Sequence, residues 1–271
     1  MITIHNESYS GGQRDPDIER GFRMHSPAKL HRRALATIAT AALALPGLLI
    51  LTAPTASASV PSGAAFRSSE PFGTWNNGAF DVYNNEWNTS EAGPQTIWAF
   101  SYHNWGVEST QSASTSVKTY PSVQRNYPNR PYSTFSMLRS TFAEQMPSSG
   151  DFIAEAAYDL WLNNYSIEVM MWFDNHRQVP AGNVIAHVTF GGQNFSVWKS
   201  GNDFFSFKLE GGNVQSGTAH LYSALRWLVN HGQLSSSVTL TQVNFGWEIC
   251  STHGSPMDFT LTKYTLRSKR H

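Results

Sequence analysis

From Gly73 onward the chain repeats one pattern: short runs of alternating apolar and polar residues, separated by clusters of Asn, Gly, Ser and Pro at 75–78, 127–131 and 191–194. Side chains of an extended strand point alternately to its two faces, and such clusters end strands, so the pattern predicts antiparallel β-structure. Strands are expected over 153–162, 167–173, 184–190, 194–198, 204–209, 238–249 and 259–266. Many strands with two distinguishable faces favour a sandwich over a single sheet. One segment departs from the rule. Over 216–230, Ala219, Leu221, Tyr222, Leu225, Leu228 and Val229 fall at helical spacing, and Gly232 follows as a stop. This predicts one helix packed on the sandwich. With no internal repeat and no linker, a single domain is the simplest count.

Three of the runs carry acids on the face that alternation turns away from the bulky side. Ile167, Val169, Met171 and Phe173 point one way, and Glu168, Met170 and Trp172 the other. Phe245, Trp247 and Ile249 oppose Asn244, Gly246, Glu248 and Cys250. Tyr158, Leu160 and Leu162 oppose Asp159 and Trp161. Two glutamates so placed suggest a cleft with paired catalytic carboxylates; the bland alternative is a solvated strand face. Glu155 shares the parity of Asp159, and a surface role is expected for it. All nine Trp lie at or beyond Trp75, and aromatic residues make up 13% of the chain. That richness suits flat, weakly charged ligands such as sugars.

The first 58 residues read differently. Lys29, Arg32 and Arg33 precede an apolar stretch over 34–51 that ends near Ala56, Ser57 and Ala58, the layout of a secretory signal peptide. The stretch is about long enough to cross a bilayer, but the small-residue exit favours cleavage over an uncleaved anchor. Met24 is the expected true start, because residues 1–23 are polar and precede the signal. Cleavage after Ala58 leaves a domain of 213 residues over 59–271, secreted and without stable membrane association. That part carries 13 Lys and Arg against 15 Asp and Glu, with no basic cluster beyond 267–270, which argues against a nucleic-acid partner. Cys250 is the one cysteine, so no internal disulfide forms, and a buried inert thiol is expected. No metal-ligand spacing and no phosphate loop is present, so neither a metal nor another cofactor is implied.

Several fragments together resemble glycoside hydrolase family 12, the endoglucanase and xyloglucanase family. They are Tyr83-Asn84-Asn85-Glu86-Trp87, Val117-Lys118-Thr119-Tyr120-Pro121, Ala157-Tyr158-Asp159-Leu160, Glu168-Val169-Met170-Met171-Trp172, Pro180-Ala181-Gly182 and Phe245-Gly246-Trp247-Glu248, occurring in family order. The resemblance implies a jelly-roll β-sandwich of two antiparallel sheets with one packed α-helix and an open substrate cleft. It implies Glu168 as nucleophile, Glu248 as acid/base and Asp159 as the acid supporting the nucleophile. In a retaining glycosidase the two carboxyls lie about 5 to 5.5 Å apart, one ionised and one protonated. Trp87, with Asn85 beside it, resembles the donor-side stacking position. Trp75 is expected to continue that platform, with Trp98 or Trp105 also reaching the groove, and Met170 and Trp172 to line it. Trp198, Trp227 and Trp247 are read as core. Two departures stand out: the disulfide common near the family's N-terminus cannot form, and the segment between Asp159 and Glu168 is short. The expectation is a secreted, monomeric, cofactor-free, retaining endo-β-1,4-glucanase acting on cellulose-like glucan, mixed-linkage β-glucan or xyloglucan. The rivals are a non-catalytic carbohydrate-binding jelly roll and a xylanase of the related jelly-roll family.

Overall fold

A computed structural model describes residues 61–271; the expected signal peptide, the start at Met24 and the boundary after Ala58 lie outside the described residues. In chain order the strands are β1 (Phe66–Ser68), β2 (Thr74–Asn77), β3 (Phe80–Tyr83), β4 (Gln95–Ser101), β5 (Asn104–Ser109), β6 (Ser122–Pro131), β7 (Phe135–Gln145) and β8 (Ile153–Leu162). They continue as β9 (Ile167–His176), β10 (Asn183–Phe190), β11 (Gln193–Ser200), β12 (Phe204–Leu209) and β13 (Ser216–Ala219), then helix α1 (Leu221–Asn230), β14 (Thr239–Ser251) and β15 (Met257–Arg270). A six-stranded sheet has the order β1-β4-β5-β15-β7-β13, and a nine-stranded sheet the order β10-β11-β12-β9-β8-β14-β6-β3-β2. The sheets are antiparallel with one exception. The β10–β11–β12 meander folds back so that β12 lies parallel to β9.

The two sheets bury their inner faces against each other. From the nine-stranded sheet come Val169, Met171 and Phe173 of β9, Tyr158, Leu160 and Leu162 of β8, and Phe245, Trp247 and Ile249 of β14; Phe142, Trp105 and Phe259 face them from the other sheet. Phe245 lies 4.5 Å from Tyr158 and 5.1 Å from Phe142 between ring centroids, and Trp247 5.0 Å from Trp105. Each large apolar side chain so buried contributes about 1.5–3 kcal/mol. Cys250 is a free, buried cysteine, so this packing takes the place of a disulfide.

Helix α1 is shorter than its apolar spacing predicts. Its first expected turn, Ser216–Ala219, is instead strand β13, paired with β7 at the edge of the six-stranded sheet. Gly217 and Thr218 are poor helix formers, and the open strand edge offers their backbone a full set of partners. The helix itself buries Leu221, Ala224, Leu225 and Leu228. Gly232 ends it at φ +67°, with Gln233 N–H bonding Leu228 C=O at 2.8 Å and Gly232 N–H bonding Val229 C=O at 3.1 Å.

Two of the three turn clusters lie inside strands. Trp75–Asn77 belong to β2, and residues 127–131 belong to β6. There the ladder to β14 jumps from Gln242↔Asn126 to Leu240↔Arg130, so β6 accommodates Pro128 and the left-handed Asn129 in a bulge. The third cluster is a turn: Gly191 and Gly192, at φ +58° and +81°, connect the Phe190↔Gln193 pair of a hairpin.

Further irregularities interrupt the ladders at Ala156/Ala157, Val184/Ala186 and Ile249/Ser251. Bulges bend and twist a sheet. On the face turned away from the core, Asp159, Met170 and Trp172 are nonetheless buried.

Candidate active site

Strand β8 runs between β9 and β14, and its register assembles the acids. Trp161 stands opposite Glu168, Asp159 opposite both Met170 and Asn244, Ala157 opposite Trp172 and Gly246, and Glu155 opposite Glu248. Residues directly opposite in a ladder project to the same side, so all of these share the outer face of the nine-stranded sheet. Glu248 is half-buried, whereas every other residue from Leu240 to Ser251 is buried. Glu168 is half-buried too, directly before a run of six buried residues. Asp159 and Glu155 lie deeper, at 2% and 0% exposure. Beneath the acids, Ala157, Met170 and Trp172 form an apolar cluster separate from the sandwich core, with Phe204 packed on it. Trp172 Nε1 donates to Met170 Sδ at 3.3 Å.

Burial is the first cause of every acid's altered titration here. It raises Glu168, with the Glu248 charge adding to the rise and a hydrogen bond from Asp159 opposing it. Asp159 is raised by burial and then by the charges of Glu168 and Glu248, while the Tyr120 hydroxyl favours its ionised form. Glu248 is raised by burial, opposed by a hydrogen bond from Glu155. The same bond, together with burial and the Glu248 charge, drives Glu155 upward. Two carboxyl pairs result, Asp159–Glu168 and Glu155–Glu248, each with one member from β8 and each raised by burial. The mutual influence of Glu168 and Glu248 makes them titrate as one coupled group. Two carboxyls that titrate together can divide the roles, one ionised to attack an acetal carbon and the other protonated to give its proton to the leaving oxygen.

Tyr120 completes this layer. Its hydroxyl donates to Ala157 C=O at 3.0 Å and lies against Asp159. Asn85 fixes the Tyr120 segment: its Nδ2 donates to Tyr120 C=O at 3.1 Å, and its own C=O accepts Tyr120 N–H at 3.0 Å. Asn85 is 1% exposed at φ +44°. It therefore holds the wall through its Nδ2, while its Oδ1 has no protein partner. Trp87, half-buried, lies in the segment following β3.

Other aromatic residues also depart from expectation. Trp75 pairs with Val82, which is fully buried in the core, so it faces the interior and stacks on Phe66 at 6.0 Å; it cannot extend a sugar platform. Trp105 is core, and Trp98 lies between inward-facing Ile97 and Ala99 on the far side of the six-stranded sheet. Neither reaches the acids. Trp198, read as core, pairs with Ser206 and through it with Met170, which puts it on the acid-bearing face. Its alternation with Phe195 and Val197 already carried that signal. Glu155, read as a surface residue, is sealed against Glu248. Met170 and Trp172 occupy the expected face, but as a floor only 1% and 3% exposed. Trp161, half-buried, adds an aromatic ring beside Glu168, 6.0 Å from Tyr165.

A separate cavity of about 570 Å³, lined by Met146, Phe152, Asp174, His176, Asn213 and Gln215 among others, contains none of these four acids. Among the described residues no three His, Cys, Asp or Glu side chains converge as metal ligands.

A family model described as Glycosyl hydrolase family 12 matches residues 78–268. Xyloglucan-specific endo-beta-1,4-glucanase A of Emericella nidulans is 28% identical over 77% of this chain and 95% of that protein. The inactive glycoside hydrolase XLP1 of Phytophthora nicotianae is 25% identical over 69% of this chain and 86% of its own. Among solved structures, the xyloglucanase domain of NopAA from Sinorhizobium fredii, in complex with cellobiose, has a TM-score of 0.69 at 25% identity, covering 76% of this chain and 100% of that one.

Proposed function

The chain belongs to glycosyl hydrolase family 12, and on that premise we propose that it is a retaining endo-β-1,4-glucanase whose preferred substrate is xyloglucan. The observation that carries the reading is the pair of half-buried glutamates on one outer sheet face, each backed by a more deeply buried acid. Glu168 attacks the anomeric carbon while Glu248 gives its proton to the leaving oxygen. Glu248 then takes a proton from the water that cleaves the glycosyl-enzyme. Asp159 donates a hydrogen bond to Glu168, orienting it and favouring its ionised form. Trp87, Trp161 and Trp198 provide ring faces for sugar C–H surfaces. The preference for xyloglucan is supported by what the relatives from Emericella nidulans and Sinorhizobium fredii are described as acting on.

Glu168→Gln is expected to abolish reducing-sugar release from xyloglucan while glucan binding persists. Unchanged release would remove Glu168 as nucleophile. Early product is expected as the β-anomer by proton NMR, and initial α-anomer would contradict double displacement. The inactive relative from Phytophthora nicotianae gives substance to a second reading, carbohydrate binding without turnover. Offering the protein carboxymethylcellulose, barley glucan, xyloglucan and xylan separates the two readings and also tests the xylanase alternative. Export is part of the proposal: N-terminal sequencing of protein from the medium is expected to begin at Ser59.

A further inference from the structure

We propose that Glu155 is the positioning residue for Glu248: it keeps a proton of its own and offers it as a hydrogen bond to the Glu248 carboxylate, as Asp159 does for Glu168. This rests on the reading of Glu248 as acid/base, and it assigns a function to a residue that strand parity alone leaves on a surface. Glu155 stands directly opposite Glu248 in the β8–β14 ladder and is fully enclosed. Neither of its carboxyl oxygens meets an N–H or hydroxyl donor. The Glu248 carboxyl directly across the ladder is the acidic group paired with it, and two carboxyls can bond only through a proton that one of them keeps.

Exposure decides which partner carries the charge. An ionised group is better solvated on half-buried Glu248 than on enclosed Glu155. The surroundings agree. From β14 the thiol of Cys250 faces the pair, itself buried and receiving Gln178 Nε2 at 3.1 Å. From β8 comes Asp159, an acid, and from β9 the uncharged Asn175. Lys118 is the cation on this side, facing Cys250, with its Nζ donating to Ser112 C=O at 2.5 Å and Ser112 Oγ at 2.7 Å. Among the described residues no cation forms an ion pair with either glutamate. A neutral Glu155 is thus the arrangement that leaves the fewest buried charges.

During glycosyl transfer Glu248 loses its proton to the leaving oxygen, and the Glu155 O–H stabilises the carboxylate left behind. In the second half-reaction Glu248 recovers a proton from water. The Glu155 proton never leaves its residue, so the protons balance without a further acid.

The test is the alkaline limb of kcat/KM on xyloglucan, which reports deprotonation of Glu248 in the free enzyme. Glu155→Leu removes the donor and is expected to move that limb to higher pH by about one unit, a tenfold change in the proton equilibrium. Glu155→Gln keeps an N–H donor and is expected to stay within a few tenths of a unit of wild type. A limb that shifts to lower pH in Glu155→Gln would mean that Glu155 is ionised, and no shift in either variant would mean that it is uncoupled; each result overturns the proposal. A second readout needs no turnover. In carboxyl ¹³C NMR of glutamate-labelled protein, a resonance that stays protonated through neutral pH, distinct from that of Glu144, is expected to vanish in Glu155→Gln and to persist in Glu144→Gln. Loss of no such resonance overturns the pairing even if Glu155→Leu does not fold. Its presence in a protein that hydrolyses no glucan would retain the pairing while refuting the hydrolase reading.

Discussion

Glu168 has to be ionised to act, and Asp159 governs how readily it is. The Asp159 hydrogen bond opposes the rise that burial imposes on Glu168, so removing the donor raises the Glu168 pKa. Asp159→Ala is therefore expected to move the acidic limb of the kcat/KM profile to higher pH, whereas Asp159→Asn, which retains an amide donor, should move it less. Trp198→Ala should raise KM roughly tenfold, about 1.4 kcal/mol of lost ring contact, with little change in melting temperature. Alternation in the sequence correctly grouped Glu168, Met170, Trp172, Asp159 and Glu248 on one side of their strands. It did not disclose which face of each strand meets the core. Trp75 and Trp198 were exchanged for that reason, since a large apolar ring reads alike in a core and on a platform. Glu155 was misread because an outer strand face is normally wet, and here it is fully enclosed.

Strand β8 is the organising element, supplying Asp159 and Glu155 four residues apart on the same face, one to each neighbouring strand. The β8–β9 connection is tight: Asn163, Asn164 and Tyr165 all have positive φ, and Asn163 Oδ1 accepts Thr239 N–H at 2.9 Å. This ties the hairpin to β14 and accounts for the short segment between Asp159 and Glu168. Two glycines give contrasting predictions. A Cβ at Gly246 would lie 1.9 Å from Pro121 C=O, so Gly246→Ala should cost about 3 kcal/mol in chemical denaturation through overpacking. At Gly232 there is open space but φ is +67°, and Gly232→Ala should cost only about 1 kcal/mol. Strands β8 to β12, β14 and β15 were legible to within a few residues because they alternate cleanly. Strands β1 to β3 have three or four residues each, too few to establish a period. Strand β13 was hidden because its apolar Ala219 also continues the helical spacing of α1.

For the molecule as a whole, buried acids make stability depend on pH in an uncommon direction. Glu144, between the sheets, accepts Trp247 Nε1–H at 2.9 Å and is pushed from 4.5 to about 8, chiefly by burial. The folded state thus binds this proton more tightly than the unfolded chain. Its stabilising contribution is complete below about pH 4.5 and is lost as pH rises through about 8. Melting temperature is expected to fall across that window, and Glu144→Gln should flatten the fall; a slope unchanged by the substitution would rule Glu144 out as its source. The lone thiol offers another view of the same interior. Cys250 is sealed two residues beyond Glu248, so a disulfide reagent such as Ellman's can reach it only when the sheet centre parts. Its labelling rate is consequently a clock for local opening beside the catalytic strand, readable at a single sulfur in unmodified enzyme.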